Sequence, residues 1–222
     1  RIEKFCIQYA HDNNVLFHLH ELFIDTQRNF EACAREKRYA ILQEIAKINK
    51  YNFILTAHHQ DDQLETVYMK KMDGGDWISQ IGIRERLGIV RRPFLEVTKK
   101  EIKAYGKQHH IMWVEDPTNI NLAIRRNNIR HQLLPKACKV DAGLKESLLN
   151  IAKNNLIKLH DTALKFKQKQ DTIIKGYRQN YIQICRSELK NYNLEELKLF
   201  IYIYIGKLLN VKLTHQTGGL WK

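Results

Sequence analysis

The chain has 222 residues, 44% hydrophobic and 27% charged, an ordinary globular balance with enough length for one large or two small domains. Its formal net charge of +13 favours a polyanionic partner such as nucleic acid, with an anionic membrane surface as the competing one. It offers no apolar run of about 18 residues to span a bilayer and no secretory leader pattern. Its four separated cysteines, Cys6, Cys33, Cys138 and Cys185, form no C-x-x-C pair, so a reduced cytoplasmic setting without membrane attachment is expected.

Ile2, Phe5, Cys6 and Tyr9 recur at helical spacing, Asp12–Asn13–Asn14 stops them, and Val15 to Leu22 runs apolar with interleaved histidines: helix, turn, strand. Asn29 is placed to cap a second helix, with Phe30, Cys33, Ala34, Ile41 and Ile45 facing inward and Arg35 and Arg38 projecting from its first turns. Phe53–Ile54–Leu55 then reads as a short strand buried on both faces. It breaks abruptly into Thr56–Ala57–His58–His59–Gln60–Asp61–Asp62. Asp62 and Glu65 have capping-box spacing, and Leu64, Val67 and Tyr68 carry a helix onward.

Gly74–Gly75 and Gly82 mark a loop, and Ile89–Val90 a strand ended by Pro93. Thr98 and Glu101 form a capping box that starts a helix at Lys99, with Ile102 and Tyr105 on its buried face. Ile111–Met112–Trp113–Val114 reads as another strand and Asp116–Pro117–Thr118–Asn119 as a turn. This alternation predicts an α/β domain with a parallel sheet under covering helices over residues 1–138. Behind it, 139–222 reads as a mainly helical module: a helix from Leu144 to about Lys175, a short alternating piece at Tyr181–Cys185, and a helix from Asn193 or Leu194 to Leu209.

In open α/β sheets ligands bind beyond the carboxyl ends of the strands, where His58, His59, Asp61 and Asp62 would lie. A lone His or Asp after a strand is usually only a helix cap. Two adjacent histidines and two adjacent aspartates within five positions point further, because clustered carboxylates repel unless a metal, a cation or a substrate amine offsets them. Arg126 and Arg130 fall one helical turn apart, two forked donors suited to phosphate, against the simpler reading of a solvated basic face.

Taken together, Ala34–Arg35–Glu36–Lys37–Arg38–Tyr39, the run Thr56 to Thr66, Arg92–Pro93–Phe94–Leu95, Asp116–Pro117–Thr118–Asn119, Arg126–Asn127–x–Ile129–Arg130 and Leu134–Pro135 resemble the tRNA(Ile)-lysidine synthetase family in order and spacing over about residues 5–135. The resemblance implies a nucleotide alpha hydrolase-like fold of the PP-loop type, with residues 139–222 standing where the family has tRNA-binding modules. It implies ATP and Mg2+ as cofactors and two substrates, a tRNA(Ile) with a CAU anticodon and free L-lysine. The wobble cytidine would be adenylated at its C2 oxygen and then attacked by the lysine amine. On this resemblance Asp62, Asp61, His58, His59 and Glu65 are the catalytic candidates, and Asp61 and Asp62 the magnesium candidates. Arg35, Arg38, Arg126, Asn127 and Arg130 are the substrate and phosphate candidates. A homo-oligomer is compatible with all of this.

The family's Ser-Gly-Gly-x-Asp-Ser loop does not occur in these residues; neither Gly74–Gly75 nor Gly218–Gly219 is followed by Asp-Ser, and the loop is expected on a strand upstream. Without it the chain is expected not to turn over ATP. A second departure is Asp73, which stands in Lys71–Met72–Asp73–Gly74–Gly75–Asp76 where the family tends to have arginine. The alternatives are a non-catalytic basic tRNA-binding remnant and a tRNA 2-thiocytidine-type PP-loop enzyme, the latter disfavoured by the lack of cysteine pairs. A His/Asp metal phosphohydrolase would need further ligand clusters.

Overall fold

A computed structural model of the protein describes residues 2–24, 30–178 and 181–201. The chain forms two compact units, Arg1–Ala152 and Lys153–Lys222.

In the first unit, helix α1 (Ile2–Asp12) leads into a stretch without regular secondary structure in place of the strand expected at Val15–Leu22. Helix α2 (Phe30–Ile48) follows; the expected cap, Asn29, lies outside the described residues, and Phe30 is exposed rather than inward. Strand β1 (Ile54–Leu55) pairs in parallel with β3 (Val90–Arg91), and β3 pairs antiparallel with β2 (Arg86–Leu87). The sheet is therefore mixed, not parallel throughout. Its antiparallel half follows from the two-residue turn at Gly88–Ile89: Gly88 has φ +57°, which a tight hairpin needs at its first position, and so short a link can join only antiparallel strands.

The sheet has one packed face. Ile54 and Val90 meet Ala46, Tyr39 and Leu42 of α2, whereas Phe53 and Leu55 are exposed, which corrects the expectation of a strand buried on both sides. The apolar run at 53–55 resembles a doubly buried strand in composition alone; the guanidinium of Arg91, 4.7 Å from the centre of the Phe53 ring, lies over the open side.

Helices α3 (Gln60–Met72) and α4 (Lys99–Gln108) begin side by side. The Gln60 N–H donates to the Val97 carbonyl at 2.9 Å and the Lys99 N–H to Asp61 Oδ2 at 2.7 Å. The capping box of α4 is the expected one, Thr98 with Glu101. Tyr105, expected on the buried face of α4, is exposed. Residues 111–114 form no strand. Helix α4 ends with His110 at φ +53° and an Ile111 N–H to Gly106 carbonyl bond of 2.8 Å, which turns the chain back so that Trp113 lies against Gly106.

A short helix α5 (Arg125–Asn128), a π turn (Ile129–Leu133) and α6 (Leu134–Val140) then run on continuously, followed by α7 (Leu144–Gln168). The core of the unit joins Leu64 and Val67 of α3 to Ile129, Leu134, Leu148 and Ala152. Residues 139–152, read from the sequence as opening the second module, thus contribute Leu148 and Ala152 to the first core.

In the second unit the helix expected to run to about Lys175 stops at Gln168. After α8 (Gln170–Ile173) comes β4 (Ile174–Arg178), paired antiparallel with β5 (Tyr181–Ile184). Helices α9 (Arg186–Leu189) and α10 (Leu194–Phe200) complete it, and the remainder of the helix expected to Leu209 lies outside the described residues. Phe166, Ile173 and Phe200 form its core, with the Phe166 ring 4.6 Å from that of Tyr192. Among the described residues no helix is long and apolar enough to cross a membrane.

Candidate functional site

The site begins where β1 ends. The Thr56 hydroxyl lies 2.9 Å from His58 Nδ1 and fixes the ring. Burial lowers the His58 pKa to about 4; Asp62 opposes that shift, and the charges of Arg92, Arg126 and Arg35 add to it. At neutral pH the ring is uncharged.

His59, not Asp62, is the N-cap of α3. Its Nδ1 accepts from the Asp62 N–H at 3.4 Å and its own N–H donates to Asp62 Oδ2 at 3.0 Å. The capping box is shifted three residues toward the N-terminus of the expected one, and an imidazole replaces the usual hydroxyl. This releases Glu65 from the capping role and lets it turn inward.

Glu65 is the centre of the cluster. Its side chain is 3% exposed, its Oε1 lies 2.6 Å from Arg130 Nε, and its Oε2 lies 2.9 Å from Arg126 Nε and 3.0 Å from Arg130 Nη2. Asp62, 14% exposed, places Oδ1 at 3.3 Å from Nη2 of both arginines. Two carboxylates thus offset two guanidiniums, a network that can repay the desolvation of its members because both carboxylates and the Nε and Nη2 of each guanidinium are paired. Hydrogen bonding to Glu65 pushes the Arg130 pKa up, against the effect of burial. The helical alignment expected of Arg126 and Arg130 arises across the junction of α5 with the π turn, and both face the carboxylates rather than open solvent.

Asn127 is buried, and its Nδ2 donates to the carbonyls of Thr118 (2.9 Å) and Asn121 (3.0 Å), stapling the Asp116–Asn119 turn to α5. Both amide hydrogens are spent there. Arg35 and Arg38 are exposed on α2, with guanidinium carbons 5.7 and 5.9 Å from the centre of the Tyr39 ring. Asp73, the departure noted above, is matched by a partner: its carboxylate takes both Nη atoms of Arg125, so its charge is offset on the spot.

The carboxylates suggested for magnesium are largely committed. Asp62 faces two guanidiniums, Asp61 Oδ2 takes the Lys99 N–H, and among the described residues no group of three or more His, Cys, Asp or Glu side chains is arranged to hold a metal ion. Asp61 and Asp62 therefore do not form a fitting magnesium cage.

Three members of the surroundings escaped the sequence reading as individual residues: Thr56, Tyr39 and Arg92. The first two stood inside quoted motifs, Thr56 two residues before His58 and Tyr39 one after Arg38, without a role of their own. Arg92 likewise stood in a motif and gave no sign of being buried.

Residues 1–137 match the PP-loop domain family. Over 107 residues the chain is 46% identical to a tRNA(Ile)-lysidine synthase of Thermus thermophilus, covering 48% of this chain and 21% of that protein. The corresponding protein of Lactiplantibacillus plantarum is 36% identical over 118 residues (51% and 26%), and that of Wigglesworthia glossinidia brevipalpis 33% over 141 (60% and 35%). The matched region thus spans between about a fifth and a third of these relatives. Residues 1–137 contain every residue of the cluster described above; the chain is similar to tRNA(Ile)-lysidine synthases and belongs to the PP-loop domain family.

Proposed function

We propose that this chain carries the reacting site of a lysidine-forming tRNA ligase. ATP transfers its adenylyl group to the C2 oxygen of the wobble cytidine in a tRNA(Ile) with a CAU anticodon, and pyrophosphate leaves. The amine of free L-lysine then bonds to C2, the C2–O bond breaks, AMP departs and the amine gives up a proton. The supporting observation is the meeting of Asp62, Glu65, Arg126 and Arg130 beside a neutral His58 at the end of β1, inside the region that matches the family.

The residues divide the work by their surroundings. Asp61, 40% exposed and with Oδ1 unpartnered among the described residues, receives the lysine ammonium. Asp62 and Glu65 hold Arg126 and Arg130 in place, so that the two guanidiniums meet the departing phosphate without a loss of side-chain entropy at that moment. Arg35 and Arg38, free of carboxylate partners among the described residues, bind phosphate oxygens of the nucleotide or the tRNA. His58 offers a neutral ring nitrogen as a hydrogen-bonding group.

The test combines binding and chemistry. The purified chain is titrated with a tRNA(Ile) transcript bearing CAU and with one bearing another anticodon, at several salt concentrations. This chain joined to a segment that supplies the Ser-Gly-Gly-x-Asp-Ser loop is then incubated with the CAU transcript, ATP, magnesium and labelled lysine, and the nucleosides are examined by mass spectrometry. Preference for the CAU transcript, with log K falling as log salt rises, is expected. In that loop-bearing form, Asp61→Asn is expected to lower lysidine formation on the order of a hundredfold with an unchanged melt. Equal, salt-independent binding of both transcripts would remove the proposal.

A further inference from the structure

Arg92 is an unusual cation. It is 2% exposed, yet among the described residues it has no carboxylate partner. Its Nη1 donates to the Arg84 carbonyl at 2.6 Å, its Nη2 to the Tyr39 hydroxyl at 2.9 Å, and its Nε is buried without a hydrogen-bond partner among the described residues. A buried charge held only by neutral acceptors is costly, and its retention calls for a compensating role. The group it grips is informative. Tyr39 packs on the core formed by Ala46, Ile54 and Val90, and the same ring has Arg35 and Arg38 within 6 Å. Three guanidiniums, none paired with a carboxylate among the described residues, thus converge on one tyrosine. Such a gathering is self-repelling until an anion joins it.

We infer that Tyr39, clamped at its hydroxyl by Arg92, is a positioning residue that presents Arg35 and Arg38 as a paired fork for phosphate oxyanions. The ring supplies a cation–π platform that limits where the two long side chains stand, and the clamp fixes the ring. Arg92 itself is too buried to touch a ligand and acts through Tyr39. This inference rests on the assignment of phosphate binding to Arg35 and Arg38. The phosphate can belong to a nucleoside triphosphate or to an RNA backbone, and the two sources separate experimentally.

The experiment uses the full 222-residue chain with Tyr39→Leu, Tyr39→Phe, Arg35→Lys and the double change Arg35→Ala/Arg38→Ala. Affinity is measured for a tRNA transcript across a salt series and for ATP by calorimetry, beside a thermal melt. Tyr39→Leu is expected to weaken one of these ligands about tenfold. If the phosphate is RNA, the slope of log K against log salt also drops by roughly one to two, as for the loss of one or two phosphate contacts. Loss confined to ATP identifies the nucleotide instead.

Tyr39→Phe, which keeps the ring and loses only the clamp, should fall between Tyr39→Leu and the parent chain. Arg35→Lys, a surface change that does not threaten folding, should cost affinity despite its conserved charge, because an ammonium does not stack as a planar guanidinium does; it decides the question if Tyr39→Leu fails to fold. Full affinity in Arg35→Lys, or in a folded Tyr39→Leu, overturns the inference. If Arg35→Ala/Arg38→Ala weakens binding while Tyr39→Leu does not, the phosphate assignment stands and the positioning role fails. If the double change also binds normally, the assignment itself is wrong.

Discussion

Glu65 and Arg130 lie 65 positions apart in sequence and meet at 2.6 Å, with the carboxylate almost wholly out of water. Because the same carboxylate also takes Arg126, removing its charge leaves two guanidiniums facing Asp62 alone. Glu65→Gln is expected to cost roughly 3 kcal/mol, the lower end of what breaking a buried pair costs, since both arginines keep some solvent access. Urea unfolding with an unchanged m-value measures it. A loss under about 1 kcal/mol would mean that the cluster behaves like an exposed salt bridge.

Gly82 closes the loop behind α3. It has φ +70°, and a Cβ there would lie 2.6 Å from Gln63 Oε1 and 2.9 Å from Val67 Cγ2. Gln63 is buried and holds the same loop, accepting from the Ile83 N–H at 2.6 Å and donating to the Ile81 carbonyl at 3.0 Å. Gly82→Ala should therefore cost at least about 2 kcal/mol, from backbone strain together with displacement of a buried acceptor. A thermal melt within a degree of the parent would refute this.

Lys50 offers a change of opposite sign. It ends α2 at φ +56°, with the Tyr51 N–H donating to the Ala46 carbonyl at 2.8 Å, an arrangement in which glycine normally fills the left-handed position. Lys50→Gly is expected to stabilise the chain by up to about 1 kcal/mol, relieving the strain a side chain suffers there. Equilibrium unfolding that shows a loss of stability would point to an unrecognised role for the lysine.

Much of the site was legible because its signals are local. The start of α4 at Thr98 and Glu101 needs only a four-residue pattern, and the break from apolar strand to His and Asp is visible within ten residues. The cap of α3 was misassigned because His59 and Asp62 both carry acceptors, and choosing between them requires knowing that Glu65 has two arginines to meet. That meeting is a long-range event. The sheet was misread for a similar reason: an apolar triplet does not reveal how many of its faces are covered, and β2 is so short that only the Gly88 turn marks it. Residues 111–114 carry strand-forming side chains, but the left-handed turn at His110 carries them back toward α4.

The last expectation concerns His58. Its pKa is lowered from the ordinary 6.5 to about 4, chiefly by burial, with Arg92, Arg126 and Arg35 adding to the effect and Asp62 opposing it. In the unfolded chain the ring takes up a proton near pH 6.5; in the folded chain it does not until about pH 4. Between those values the unfolded state binds more protons, so stability falls as pH falls through that window. The contribution is complete above pH 6.5 and lost as pH approaches 4. The parent should therefore lose stability relative to His58→Gln on acidification from 6.5 to 4, with a slope no steeper than about 1.4 kcal/mol per pH unit for one proton. Imidazole NMR resonances should show His58 still neutral at pH 5.5, when solvent-exposed histidines have mostly titrated. A midpoint near 6.5 for His58, with no divergence from the variant, would show that the ring is not desolvated and that the three arginines do not bear on it.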